Sequence, residues 1–216
     1  MLKNKFILLL FISAIVVSLF LINSLNKWSK KWEKKFEIFQ PSEKIMEIIG
    51  IKEGMIVGEI GAGNGRFAVR VARKIGDKGK IFANDIDIKA VRFMKERCER
   101  ENVKNMIVIL SHPINPYFPK DSLDLVYIIN AYEYISDPVR LLKNTKHSLK
   151  ENGKLAIIAH DAKKSKNKFK LTVNVNQLID QLHEAGFQLI FLDTTSLKYD
   201  NIYIFVPQKN NITNKN

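Results

Sequence analysis

The sequence predicts an α/β domain built on a doubly wound, mainly parallel sheet, and three observations predict it. Apolar runs of strand length alternate with amphipathic stretches of helical period between residues 41 and 207. The runs are continuous rather than alternating, as in strands covered by helices on both faces. The first run ends Val57-Gly58-Glu59-Ile60 and breaks into Gly61-Ala62-Gly63-Asn64-Gly65 before a helix opens at Arg66. That is the strand, glycine loop and helix of a ligand-binding βαβ unit.

Each element has its own local reason. Pro41-Ser42 starts a helix through Ile49, and Met55 to Ile60 is the first strand. Arg66 to Ile75 is the first core helix, ended by Gly76. Lys80 to Asn84 is the second strand, and Asp87 caps a helix to about Glu101 with Ile88, Val91 and Met94 on one side. Met106 to Leu110, Leu123 to Ile129 and Lys154 to Ala159 are three more strands. Pro138 suits the first turn of a helix ending near Leu149. Asn176 to Ala185 is the last helix, stopped by Gly186, and Phe187 to Leu192 and Ile202 to Val206 complete the sheet. No long insertion and no internal repeat interrupts this order.

The glycine loop lets a ligand approach the backbone, and the loop is expected to face it with N–H groups of a helix N-terminus. Asp85 ends the next apolar run, about 20 residues on, where a carboxylate can accept both hydroxyls of a ribose. Together they describe a nucleoside-binding unit. A dinucleotide fingerprint would place its third glycine at position 66, where Arg66 stands instead. The glycine comes one residue early, at Gly65, and an acid, Glu59, precedes the first glycine by two. This E-x-G-x-G-x-G pattern resembles motif I of the class I S-adenosylmethionine-dependent methyltransferases. Further blocks follow in that family's order. Phe82-Ala83-Asn84-Asp85-Ile86-Asp87 resembles its second strand with the ribose acid, and Ser122 to Asn130 its fourth strand. Leu149-Lys150-Glu151-Asn152-Gly153 resembles its turn before the fifth. The resemblance covers residues 41–207 and implies a Rossmann-like, seven-stranded sheet with an antiparallel last strand.

It also implies roles. Gly61, Ala62 and Gly63 would bring backbone near the methionine part of the cofactor, with Glu59 anchoring the loop. Asp85 would bind the ribose and Ile86 would lie on the adenine. His112 stands where many members carry an acid that accepts from the adenine amino group, and a neutral imidazole nitrogen can also accept. Asn130 ends the fourth strand beside this site. Methyl transfer asks mainly for positioning. Where an acceptor needs a base, the candidates at strand ends are His160, Tyr132 and Asp161, with Glu133 and Tyr134 near them. Tyr132 and Tyr134 read equally as packing, and Asp161 as a cap. Asn115-Pro116-Tyr117-Phe118 has the look of a DNA amino-methylase signature but precedes the fourth strand instead of ending it, so it reads as a turn.

At 216 residues the chain is one domain plus extensions, and its single cysteine, Cys98, excludes a disulfide framework. Residues 6–26 carry no charge, and Phe6 to Ile22 is apolar except for Ser13 and Ser18. A helix of that length reaches about 25 Å, against a hydrocarbon core of about 30 Å, and Lys5 and Lys27 can snorkel across the difference. Residues 1–25 are therefore expected to be a single-pass anchor. A cleaved signal peptide is the competing reading, with no Ala-x-Ala site to support it. Lys27, Lys30, Lys31, Lys34 and Lys35 outnumber Lys3 and Lys5, which places the domain on the cytoplasmic side of the inner membrane. Trp28, Trp32 and Phe36 form one stripe in a basic juxtamembrane segment, 26–40, facing either lipid or the domain. The polar tail, 208–216, is expected to be disordered. The net charge of +13 concentrates in the juxtamembrane lysines and in Lys163 to Lys170. It is read as solvated surface first, anionic lipid second and nucleic acid last.

The expectation is a membrane-anchored methyltransferase that uses S-adenosylmethionine on a small or lipid-like acceptor, with no metal and no nucleic-acid partner. Two rivals remain: a non-catalytic nucleoside-binding scaffold of the same fold, and an NAD(P)-dependent oxidoreductase, which the Gly65 spacing opposes.

Overall fold

A computed structural model describes residues 31–164 and 172–208. The chain divides into two compact units, Met1–Pro41 and Ser42–Asn216. In the first, residues 31–39 are helical, and the Trp32 and Phe36 ring centroids lie 4.3 Å apart on one face. Among the described residues no helix is long and apolar enough to cross a membrane. The expected anchor, Trp28 and the tail beyond residue 208 lie outside the described residues.

The second unit opens with helix α1 (Ser42–Ile48) and continues β1 (Ile56–Ile60), α2 (Arg66–Ile75), β2 (Lys80–Asp85), α3 (Ile88–Arg100) and β3 (Met106–Leu110). Then come β4 (Leu123–Ile129), a 3-10 turn (Tyr132–Tyr134), α4 (Pro138–Lys146), β5 (Leu149–His160), α5 (Val175–Glu184), β6 (Phe187–Asp193) and β7 (Asp200–Pro207). They form one seven-stranded sheet in the order β3-β2-β1-β4-β5-β7-β6. Every pairing is parallel except the two that β7 makes, with β5 and with β6. The strands flanking β1 are β2 and β4, so the chain winds outward in opposite directions from this point. A crevice therefore opens beyond the carboxyl ends of β1 and β4.

Local chemistry sets the boundaries. Asp87 caps α3 by accepting from Lys89 N at 2.8 Å, and Gly76 ends α2 at φ 67°. Asp137 caps α4 ahead of Pro138. Asn174 caps α5 through Asn176 N and Gln177 N, so this helix starts slightly before the expected Asn176. The larger difference is at β5, which begins at Leu149 rather than Lys154, while α4 stops at Lys146. The Ser148 carbonyl accepts from Leu123 N at 2.9 Å and draws the chain into the sheet early. The three-residue surplus bulges out between Leu149 and Lys154 before pairing resumes at Leu125. Gly153 permits it, because a Cβ there would meet the Leu123 carbonyl at 2.8 Å.

The inner strands are buried on both faces. Leu125, Tyr127 and Ile129 of β4 pack with Val57, Phe67 and Val71, while Val126 and Ile128 pack on the other face with Leu142, Leu178 and Phe205. The sheet edges depart from the expected continuous burial. Ile107 and Leu110 on β3, and Ile190, Phe191 and Leu192 on β6, are exposed.

One polar pair sits in this core. Glu59 and Tyr127 are register partners across β1 and β4, both are buried, and the Tyr127 hydroxyl donates to Glu59 Oε2 at 2.9 Å. Burial is the dominant effect and pushes the Glu59 carboxyl up to about 8, with the Tyr127 bond and the Arg66 guanidinium pulling less strongly the other way. The folded chain thus holds this proton more tightly than the unfolded chain, where the ordinary value is 4.5. The contribution to stability is complete below that ordinary value and is lost as pH rises through about 8. Glu59→Gln keeps an acceptor for Tyr127 and has no proton to lose. Urea unfolding at about pH 5 and about pH 8 is expected to show the parent losing on the order of a few kcal/mol more than the variant across that interval. Equal losses in both proteins would mean that Glu59 does not carry the effect.

Candidate active site

The site is built from the ends of four strands. At Gly61, β1 turns sharply out of the sheet, with φ 71°, in the left-handed region. A side chain here would also collide with Ala131 of the β4 loop, because an added Cβ would lie 2.6 Å from the Ala131 Cβ. Gly65 closes the loop, again at φ 71°, and stands against Met94 of α3.

Five N–H groups along the loop and helix start are already bound. Gly61 N donates to Asn84 Oδ1 at 3.3 Å, Ala62 N to the Asn84 carbonyl at 2.8 Å, and Gly63 N to Asp85 Oδ2 at 2.8 Å. Gly65 N donates to the Ala62 carbonyl and Arg66 N to Asn64 Oδ1. The expected row of open amides is therefore corrected. These glycines supply a tight turn and close approach, and β2 takes the amides. At Gly63 an added Cβ would meet nothing within 4 Å, so the backbone there faces open space.

A cleft of about 320 Å³ lies at the switch point. It gathers Gly61, Asp85, Ile86, His112 and Asn130 from the expected cofactor residues, beside Asn84 and Ala131. Glu59, Ala62 and Gly63 support the loop without lining the cleft. Asp85 is fixed by backbone on both oxygens, Oδ2 to Gly63 N and Oδ1 to Asp87 N at 2.9 Å. Each carboxylate oxygen retains a further lone pair for a ligand. Ile86 is an exposed apolar side chain at the rim. Asn130 takes φ 53°, which turns the chain out of β4 into the cleft wall.

His112 sits in a turn closed by reciprocal backbone bonds with Asn115, and its Nδ1 accepts a long contact, 3.4 Å, from Ile114 N.

The three base candidates lie outside the cleft. The Tyr132 hydroxyl donates to Gln181 Oε1 at 2.8 Å, and burial pushes its phenol further up. His160 Nδ1 lies 3.1 Å from Asp200 Oδ1, both buried, where β5 and β7 pair. Asp161 accepts from Lys163 N and from Asn201 Nδ2 at 3.0 Å. Among the described residues no group of three His, Cys, Asp or Glu side chains could hold a metal ion.

Sequence reasoning passed over Asn84. It is buried, accepts from Gly61 and Ala62 as above, and its Nδ2 donates to the Pro116 carbonyl at 3.0 Å. It thereby ties the glycine loop to the Ser111–Phe118 wall. The available signal was an amide in an apolar strand, since a buried polar side chain is there to make bonds. Tyr127 gave a similar signal.

Comparison with known proteins follows this geometry. Residues 51–206 match a family described as a methyltransferase domain. A SAM-dependent methyltransferase from Aquifex aeolicus superposes with a TM-score of 0.73 at 23% identity, over 82% of this chain and 95% of that one. An uncharacterized protein of Methanocaldococcus jannaschii is 28% identical over 82% of this chain and 87% of its own. A protein-L-isoaspartate O-methyltransferase from Pyrococcus horikoshii is 32% identical over 52% of this chain and 48% of its own. The matches to the named curated enzymes span about half of those enzymes' length or less. With the family matched from Ile51 through the last strand, and a cleft at the switch point shaped by Gly61 and Asp85, the chain belongs to the methyltransferase-domain family and is an S-adenosylmethionine-dependent methyltransferase.

Proposed function

We propose that this methyltransferase holds S-adenosylmethionine in the switch-point cleft and works at the cytoplasmic face of the inner membrane on a small or lipid-like acceptor. The observation that carries the cofactor assignment is the meeting of Gly61, Asp85, Ile86 and Asn130 in that one cleft. Asp85, oriented by two backbone amides, receives the ribose hydroxyls. Gly61 gives the methionine end its close approach, and Ile86 covers the adenine. The bound cofactor supplies a methyl group already activated on a sulfonium. The chain's own contribution is orientation. No base is assigned, because His160, Tyr132 and Asp161 are each engaged elsewhere.

The membrane reading rests on the apolar run from Phe6 to Ile22 and on the lysines that follow it. A lipid-like acceptor draws support from two relatives, a ubiquinone/menaquinone C-methyltransferase of Shewanella oneidensis and a demethylmenaquinone methyltransferase of Listeria, 24% and 23% identical. A tether raises the effective concentration of any acceptor dissolved in the bilayer. The family match disfavours the scaffold and oxidoreductase alternatives.

Two tests follow. Asp85→Ala removes charge-assisted hydrogen bonds worth roughly 1.5–3 kcal/mol each, so calorimetry is expected to show S-adenosylmethionine binding at least about tenfold weaker, with no binding of NADH to either protein. Unchanged affinity would remove Asp85 from the ribose. In intact cells, protease added outside is expected to spare the domain. Deleting residues 1–25 is expected to move the protein from the membrane fraction to the supernatant without loss of cofactor affinity. Digestion of the domain from outside would reverse the orientation.

A further inference from the structure

A second pocket, of about 240 Å³, opens between the Tyr132–Ser136 segment and the start of α5. Ile135 and Ser136 line both it and the cofactor cleft, so one short segment forms a shared wall. The chemistry of the two differs. Around the second pocket stand the hydrogen-bonding side chains of Tyr132, Glu133, Ser136, Asn174, Gln177 and Gln181, among a minority of apolar ones. Among the described residues no lysine or arginine lines it, in a chain of net charge +13.

Glu133 gives the pocket a sign. Its Oε1 accepts from His160 N at 2.9 Å, which fixes the carboxylate. Its Oε2 is buried and has no partner among the described residues. A buried carboxylate oxygen without a donor is costly, and a donor supplied by a ligand removes that cost. Tyr132 cannot be that donor, since its hydroxyl is committed to Gln181. That bond in turn holds the Gln181 amide in place at the pocket edge. The volume is below the roughly 300 Å³ at which pockets for drug-sized ligands begin, so the occupant is small.

We propose that this pocket anchors the methyl acceptor through a small ammonium or amine group, with Glu133 taking its N–H and the Gln177 and Gln181 amides completing the contacts. The proposal rests on the methyltransferase reading above and narrows it. It makes the recognised end of the acceptor polar and cationic, whatever else the molecule carries. An anionic group would face Glu133, and among the described residues no lining cation offsets it.

Ethylamine, with acetate as an anionic probe of similar size, tests this on the full chain. Side-chain amide resonances of Gln177 and Gln181 are followed by NMR, and S-adenosylmethionine binding is measured separately by calorimetry. Ethylamine is expected to shift these resonances saturably and acetate to leave them in place. Glu133→Gln retains an acceptor for His160 N, and it is expected to weaken ethylamine at least about tenfold while cofactor affinity is unchanged. Gln177→Lys, at an exposed position on α5, is expected to do the same by placing a cation at the mouth. Binding of acetate as well as ethylamine, or ethylamine binding indifferent to both variants, would overturn the proposal. Amine binding without cofactor binding would overturn the methyltransferase reading of the cleft instead and leave the pocket standing.

Discussion

Three consecutive backbone N–H groups turn away at the end of β1, and the site depends on how they are satisfied. Those of Gly61, Ala62 and Gly63 go to Asn84 Oδ1, the Asn84 carbonyl and Asp85 Oδ2. The end of β2 therefore dictates the shape of the loop after β1. The same two residues reach further. Asn84 Nδ2 holds the Pro116 carbonyl, and Asp85 Oδ1 takes Asp87 N at the start of α3. Loop, cleft wall and helix entry are fixed by two adjacent side chains. A ligand then meets a surface that is set before it arrives, which lowers the ordering cost of binding.

Most of the fold was legible because the inner strands are apolar on both faces and the helices carry strong caps. Asp87, Pro138 and Gly76 fall where the sequence places them, for reasons local to each residue. What was not legible arises between elements. The early start of β5 depends on the Ser148 carbonyl finding Leu123 N, a partner far back in the chain. The exposure of Ile107 and Phe191 follows from strand order, which apolar content alone does not encode.

The cofactor residues were legible for the same local reason, since spacing sets Gly61 and Asp85 at strand ends. Asn84 was not, because its role needs the loops after both β1 and β3 to be in place. The base candidates show the opposite error. His160, Tyr132 and Asp161 sit near strand ends as reactive groups would, yet each is bound to a neighbour across the sheet or on α5. Position along a strand locates a residue, whereas its hydrogen-bond partners decide what it is free to do.

The strand order also bears on how the chain is made. β1, β2 and β3 form three of the sheet's seven strands and precede β4 in the sequence. Until Leu123–Ile129 has been synthesised, one edge of β1 has no strand beside it. During that interval the Glu59 carboxyl lacks its Tyr127 partner. Arrival of β4 covers that edge and brings the Tyr127 hydroxyl to Glu59 Oε2. One strand thus closes both the backbone ladder of β1 and the polar pair of the core.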